Sequence, residues 1–210
     1  MIIIKKVGAQ MPEHYFSKKP QSKSSPKTWT YRLQDKWYTF TSDTGVFSRH
    51  EVDFGSKLLI EQFNAPNIQG DILDLGCGYG PIGIALADRY RGRNVVMSDI
   101  NERALQLAKE NAKQNNIDNV EFISSDRFEH IGNRTFAAIV TNPPIRAGKR
   151  IVHSIFEGSK SALCECGELW IVIQKKQGAP SAKKKLKEIF GNVEVIHRHK
   201  GYHIMKAVNV

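Results

Sequence analysis

The stretch Asp71-Ile72-Leu73-Asp74-Leu75-Gly76-Cys77-Gly78-Tyr79-Gly80-Pro81-Ile82-Gly83-Ile84-Ala85-Leu86-Ala87 changes character twice. Asp71 to Leu75 reads as a short apolar strand, and Pro81 to Tyr90 as a helix. Between them Gly76, Gly78 and Gly80 make a turn in which the backbone can bend tightly and approach a ligand. A strand, a glycine turn and a helix are the opening unit of a doubly wound α/β sheet, where ligands collect at the carboxyl ends of the strands. The spacing G-x-G-x-G differs from the G-x-G-x-x-G of dinucleotide folds. No Lys-Ser or Lys-Thr follows, so it is not a phosphate-gripping loop either. Asp74 sharpens the distinction, because a carboxylate facing the ligand repels a pyrophosphate and suits an ammonium group.

Outward from this unit, strands and helices alternate. Asn94 to Ser98 reads as a strand. Asn101 caps a helix from Glu102 to Gln114 with Leu105, Ala108 and Ala112 on one face. Val120 to Ile123 and Phe136 to Thr141 are strands, and Ile151 to Leu163 is a helix. Leu169 to Ile173 is an apolar strand, Ser181 to Phe190 a helix, and Val193 to Ile196 and Gly201 to Ala207 are strands. Only a short turn separates the last two, so they run antiparallel, while the strands joined by helices run parallel. Upstream, Lys57 to Phe63 suits a helix face. Trp29 to Leu33 and Trp37 to Thr41 alternate as two aromatic strands around Asp35-Lys36, a small β subdomain.

The whole chain is 210 residues, 40% hydrophobic and 25% charged, which are globular values and suit one domain with an extension. No apolar run approaches the ~20 residues that span a bilayer, and the start, Met1 to Lys6, is too short for a signal peptide. Three cysteines cannot all pair, which suits a reducing, cytoplasmic setting. With 31 Lys+Arg against 21 Asp+Glu the net charge is +10. The excess gathers at Lys18, Lys19, Lys23 and Lys27, at Arg146, Lys149 and Arg150, and at Lys175, Lys176, Lys183, Lys184, Lys185 and Lys187. Such clustering favours a nucleic-acid partner.

Two further carboxylates extend the motif. Asp99 ends the next strand, 25 residues after Asp74, where a carboxylate takes ribose hydroxyls. Asp126 follows the strand after that and can accept from an adenine amino group. A cation, a ribose and an adenine without phosphates describe S-adenosylmethionine.

These residues, with Ser98-Asp99-Ile100-Asn101, resemble the class I S-adenosylmethionine-dependent methyltransferases from about residue 55 to the end. The resemblance implies a Rossmann-like sheet of seven strands, the last antiparallel, with the small β subdomain added in front. It implies that Asp74, Gly76, Gly78, Gly80, Asp99, Ile100 and Asp126 bind S-adenosyl-L-methionine, together with Asn142 and Phe47.

Thr141-Asn142-Pro143-Pro144-Ile145 ends the strand from Phe136, so it lines the same crevice. Two prolines stiffen the turn and leave acceptors in place. Asn142 adds a side-chain carbonyl. Acceptors aimed at an exocyclic amine pull its nitrogen towards tetrahedral geometry and orient its lone pair for in-line attack on a methyl group. Catalysis is then positioning and preorganised dipoles, carried by Asn142, Pro143 and Pro144. Asn/Asp-Pro-Pro-aromatic marks methyltransferases of adenine N6, guanine N2 and glutamine N5. Ile145 departs from that pattern, so stacking on the target must come from elsewhere, with Phe47, Trp37 and Tyr38 as candidates.

Two longer blocks narrow the resemblance. Phe40 to Ser48 with Val52 to Leu59, and Asn142 to Lys149, are similar to segments of the small-subunit ribosomal RNA guanine-N2 methyltransferases; Gln174 to Gly178 extends the match. This implies a compact member in which Val46, Phe47, Asp53 and Gly55 border the cofactor, and Ile145, Arg146 and Lys149 border the RNA. Residues 1–54 would then contact RNA, and residues 55–210 would form the methyltransferase domain. The expected partner is ribosomal RNA or the small subunit, not a membrane. Alternatives are a DNA adenine or protein glutamine methyltransferase, or a non-catalytic RNA-binding assembly factor. Cys164 and Cys166 with His197, His199 and His203 form too incomplete a set to imply a metal. Cys77 reads as an apolar filler and His153 as a packed or surface residue.

Overall fold

A computed structural model of the chain describes residues 20–210. The sequence readings for Met1 to Lys6, Lys18, Lys19 and the start of the basic loop lie outside the described residues. Two antiparallel strands come first, β1 (Lys27–Leu33) and β2 (Lys36–Ser42), forming a hairpin of their own. Helix α1 (Phe54–Gln62) leads into the main unit: β3 (Ile72–Leu75), α2 (Pro81–Arg89), β4 (Val95–Asp99), α3 (Glu102–Gln114) and β5 (Val120–Ser124). It continues through β6 (Phe136–Thr141), α4 (Lys149–Ala162), β7 (Leu163–Gln174), α5 (Ala179–Phe190), β8 (Glu194–His199) and β9 (Tyr202–Val208).

The main sheet has seven strands in the order β5-β4-β3-β6-β7-β9-β8. β9 runs antiparallel to both neighbours, and the other pairings are parallel. The chain leaves β3 in one direction and returns to its other side at β6. The crevice between these two strands is therefore the switch point where such sheets bind ligands.

The period-2 alternation of the strands decides what each face buries. Ile72, Ala138 and Val140 face the core shared with α1, α2, α3 and the hairpin. Leu73, Leu75 and Ile139 face α4 and α5. Asn142 continues the series Ala138, Val140, and so falls on the α1 face. Thr141 points the other way, and its hydroxyl donates to Leu75 O at 2.8 Å, tying the ends of β6 and β3 together. The hairpin packs through Trp29 and Phe40 onto Tyr79 in the glycine turn, with ring centroids 5.7 and 5.8 Å apart. Edge-to-face pairs of this kind contribute about 0.5–1.5 kcal/mol each. Asn111 of α3 and Asn115, its C-cap, each bond the N–H and the C=O of one residue along the free edge of β2, with Thr41 N at 2.8 Å and Thr39 N at 2.9 Å.

β7 is longer than the apolar run predicts. Its polar first half, Cys164 to Glu168, has no strand pattern. A bulge opposite Phe136 and Ala138 absorbs it, and Asn209 bonds Cys166 and Gly167. Cys164 and Cys166 therefore lie at the amino edge of the sheet, across from His199 and His203 at its carboxyl edge. Among the described residues no helix is long and apolar enough to cross a membrane.

Candidate active site

A cavity of about 300 Å³ opens at the switch point. Its floor is the turn after β3. Gly78 (φ 57°) and Gly80 (φ 100°) occupy the left-handed region, which other residues adopt at a cost. A side chain at Gly80 would also meet Ile84 and Met97 at 2.9 Å. Gly76 and Gly78 lie on the cavity wall, while Gly80 is packed beneath it.

Asp99 lines the cavity from the end of β4. Its two oxygens accept from Gly78 N and Asn101 N, both at 2.8 Å, so one carboxylate fixes the turn and the start of α3. Burial pushes its carboxyl up, opposed by the N–H groups of Asn101, Gly78 and Ile100. Ile100 and Asp126 lie on the same wall. Asp126 is gripped by its neighbour Arg127 at 2.8 and 3.2 Å, and Arg127 also reaches Ser154. Asp74 is not on the wall. It sits behind the turn, fully buried, accepting from Gly83 N at 2.7 Å with one oxygen and leaving the other without a partner. Burial pushes its carboxyl up to about 7, with the Gly83 N–H opposing and Asp99 adding. Its visible role is to hold the start of α2 against β3. Burial raises the Cys77 thiol well above its usual range, which suits packing rather than nucleophilic chemistry.

The Asn-Pro-Pro turn forms the opposite wall. Asn142 Nδ2 donates to Asp53 Oδ2 at 2.9 Å and to Ser56 Oγ at 3.0 Å. The carboxylate can only accept, so the amide nitrogen must face it. The Asn142 carbonyl oxygen is then the group offered to the cavity. Asp53 is the N-cap of α1, and the same Oδ2 takes Ser56 N at 3.0 Å. Pro144 spends its carbonyl on Ala147 N at 2.9 Å, in the 3-10 turn Ile145–Ala147. That leaves the carbonyl of Pro143 as the second backbone acceptor of the turn.

Ile145 packs against the α4-side core instead of facing the cavity, which accounts for an aliphatic residue there. Arg146 and Lys149 are exposed beside Ala147 and Ile151, which do line the cavity. Of the three aromatic candidates only Phe47 reaches the wall, 41% exposed. Trp37 is 66% exposed on the hairpin and Tyr38 is buried with its hydroxyl on Asp88, both away from the cavity. The loop that carries Phe47 is anchored by Asn101 Nδ2 on Gly45 O at 2.9 Å and Arg103 on Thr44 O at 2.7 Å. Sequence reading missed Ser56, Arg103 and Arg127. An arginine in the first turn of a helix opposes the helix dipole, and that was the one available signal for Arg103.

The charged residues of the wall are Asp53, Asp99, Asp126 and the paired Arg127. That set rejects phosphates and fits a ligand with a cation and hydroxyl or amino donors. A family model, Methyltransferase small domain, matches residues 37–206. The uncharacterized protein YbxB of Bacillus subtilis is 58% identical over 201 residues, 95% of this chain and 100% of that protein. Among solved structures, the T. thermophilus 16S rRNA N2 G1207 methyltransferase RsmC, in complex with AdoMet and guanosine, superposes with a TM-score of 0.78 at 24% identity. The match covers 88% of this chain and 51% of RsmC, so this chain spans about half of that protein's length. A methyltransferase from Pyrococcus furiosus matches with a TM-score of 0.62 at 18% identity, over 72% of this chain and 80% of that one.

Proposed function

This chain belongs to the methyltransferase small domain family, and we propose that it methylates the exocyclic N2 amine of a guanine in small-subunit ribosomal RNA, with S-adenosyl-L-methionine as donor. The observation that carries this reading is the pinned amide of Asn142, whose nitrogen is held by Asp53 and Ser56 while its carbonyl is offered to the cavity. An amine acceptor needs such a fixed carbonyl, and needs no strong base for attack. The RsmC match supports the choice of guanine N2.

The cavity residues suit the donor. Gly76 and Gly78 let the backbone pass close beneath it, Asp99 offers a pre-oriented carboxylate to a ribose, and Asp126 offers one to an adenine amine. When bound, the donor supplies an electrophilic methyl group on a sulfonium. The chain supplies position: Asn142 Oδ1 and Pro143 O accept from the target amine, and Phe47 stands at the cavity as an apolar face for a base. Arg146 and Lys149 are placed for phosphates of a displaced nucleotide. Residues 1–54 serve as the RNA-contacting extension and residues 55–210 as the methyltransferase domain, acting in the cytoplasm.

The test is transfer of labelled methyl from S-adenosylmethionine to small-subunit RNA, naked and assembled, followed by nucleoside mass spectrometry. N2-methylguanosine is the expected product, and Asn142→Ala should nearly abolish it while sparing donor binding. A labelled protein glutamine or DNA adenine would replace this substrate with another. No transfer, with donor binding intact, would leave an RNA-binding factor that keeps the fold.

A further inference from the structure

The carboxyl edge of the sheet continues past Asn142 on the α1 side. Asp53, which holds Asn142, is followed directly by Phe54, the first residue of α1. The Phe54 ring lies 5.4 Å from that of Tyr202 and 5.8 Å from that of His199, the latter nearly parallel at 29°. His197 extends the row, 6.1 Å from His199 at 24°. Lys200 Nζ sits 5.2 Å from the centre of the Phe54 ring. Register explains the grouping. Tyr202 pairs with His199 on one side and Gln174 on the other, so the β8–β9 turn and the end of β7 share this edge. Lys175 N is bonded to Gly201 O at 2.7 Å, which brings the Lys175-Lys176 turn alongside.

Beyond Asp53, which faces Tyr202 and holds Asn142, the turns of this edge are basic. Neither Gln174 to Gly178 nor His197 to His203 contains an acidic residue. Lys175, Lys176, Arg198 and Lys200 are exposed, and none has a carboxylate partner among the described residues. Burial, then the charges of Arg198, Lys175 and Lys183, depress the His203 imidazole. Half-exposed rings beside unpaired cations, with one end at the reactive pocket, match the way single strands are bound: bases on rings, phosphates on cations.

We propose that this edge is the track for the RNA strand flanking the target nucleotide, with bases on His199 and Phe54 and a phosphate on Lys200 on the α1 face, the strand then crossing the strand ends to Lys175 and Arg198, which register places on the α5 face. It rests on the reading of RNA as the acceptor, and it lies on the opposite side of the cavity from Arg146 and Lys149. An acidic protein would need the cations but not the rings.

The test compares Arg198→Glu/Lys200→Glu and His199→Ala with wild type on small-subunit RNA. Lys113→Glu, exposed at the far end of α3, is the charge-reversal control away from this edge. The charge reversals should raise KM for RNA about tenfold or more and flatten the salt dependence of RNA binding by about 0.7 per lost phosphate contact, with kcat at saturating RNA within about twofold. His199→Ala should raise KM by about tenfold with a smaller change in salt slope than the charge reversals, as loss of a stacking ring requires. Donor affinity, measured by calorimetry, should be unchanged in all, which also checks folding. Wild-type KM and salt slope in the charge variants would overturn the track. So would a loss in Lys113→Glu as large as in Arg198→Glu/Lys200→Glu. If wild type transfers no methyl to RNA, binding still decides: weakened RNA binding in the variants supports the track and sinks only the reaction, whereas unaffected binding overturns both.

Discussion

Replacing Asp53 by alanine should disable Asn142 without touching it. Asp53 Oδ2 accepts from Asn142 Nδ2 at 2.9 Å and from Ser56 N at 3.0 Å. A hydrogen bond to a charged group contributes about 1.5–3 kcal/mol. Here that energy separates the amide as observed from the amide rotated by half a turn, which would present N–H groups to an amine that also donates. Ser56 Oγ cannot replace the preference, because a hydroxyl donates as readily as it accepts. At 1.4 kcal/mol per tenfold, the loss corresponds to a factor of about 10–150 in amide orientation. Asp53→Ala should therefore lower kcat by about 10–100-fold. It also removes the N-cap of α1, costing about 1 kcal/mol of stability. Asp53→Asn separates the two effects, since its carbonyl oxygen can take both donors and asparagine caps well; it should retain most of kcat and the melting temperature. The assay is single-turnover methyl transfer at saturating donor and RNA, well below the melting point of each variant. Wild-type turnover in Asp53→Ala would refute the reasoning. An equal loss in both variants would trace the effect to the charge of Asp53 rather than to the orientation of Asn142.

Asn142→Asp should be at least as inactive as Asn142→Ala, because a second carboxylate would face Asp53 across 2.9 Å; single-turnover rates at equal donor saturation check this. Asp99→Ala should weaken donor binding about tenfold or more in calorimetry, through loss of both the ribose acceptor and the support of Gly78 N, with a smaller effect on kcat. Asp74 governs a pH effect on stability. Its folded carboxyl titrates near 7, above the usual carboxylate range. Below about pH 4 both folded and unfolded forms are protonated. As pH rises from there to about 7 the unfolded form loses its proton first, so stability falls, and above 7 the trend ends. Asp74→Asn should flatten that slope in denaturant titrations from pH 4 to 8, and an unaltered slope would place the titration elsewhere.

Much of the fold is legible in local pattern. α3 and β6 have the limits their sequences predict, because Asn101 is a strong cap and Phe136 to Thr141 is uniformly apolar and buried. The glycine turn was legible because positive φ leaves a direct mark on residue choice. β7 was half missed, because Cys164 to Glu168 is held by Asn209 and by pairing with β6, not by its own propensity.

The site divides along the same line. From sequence alone came the sheet, the glycine turn, Asp99 and Asn142, since each is specified within a few residues of itself by alternation, spacing or a turn. Only the tertiary structure decided what those groups do. Asp53 orients Asn142 across 89 residues of chain. Asp74 turned inward to Gly83 because alternation points it at α2. Arg127 took Asp126, and Ile145 packed, partly buried, against the α4-side core. The row from Phe54 to His199 exists only because β9 folds back between β7 and β8. Local patterning decides which backbone forms. Hydrogen-bond partners and ring contacts are chosen among groups distant in sequence, and packing alone makes them neighbours.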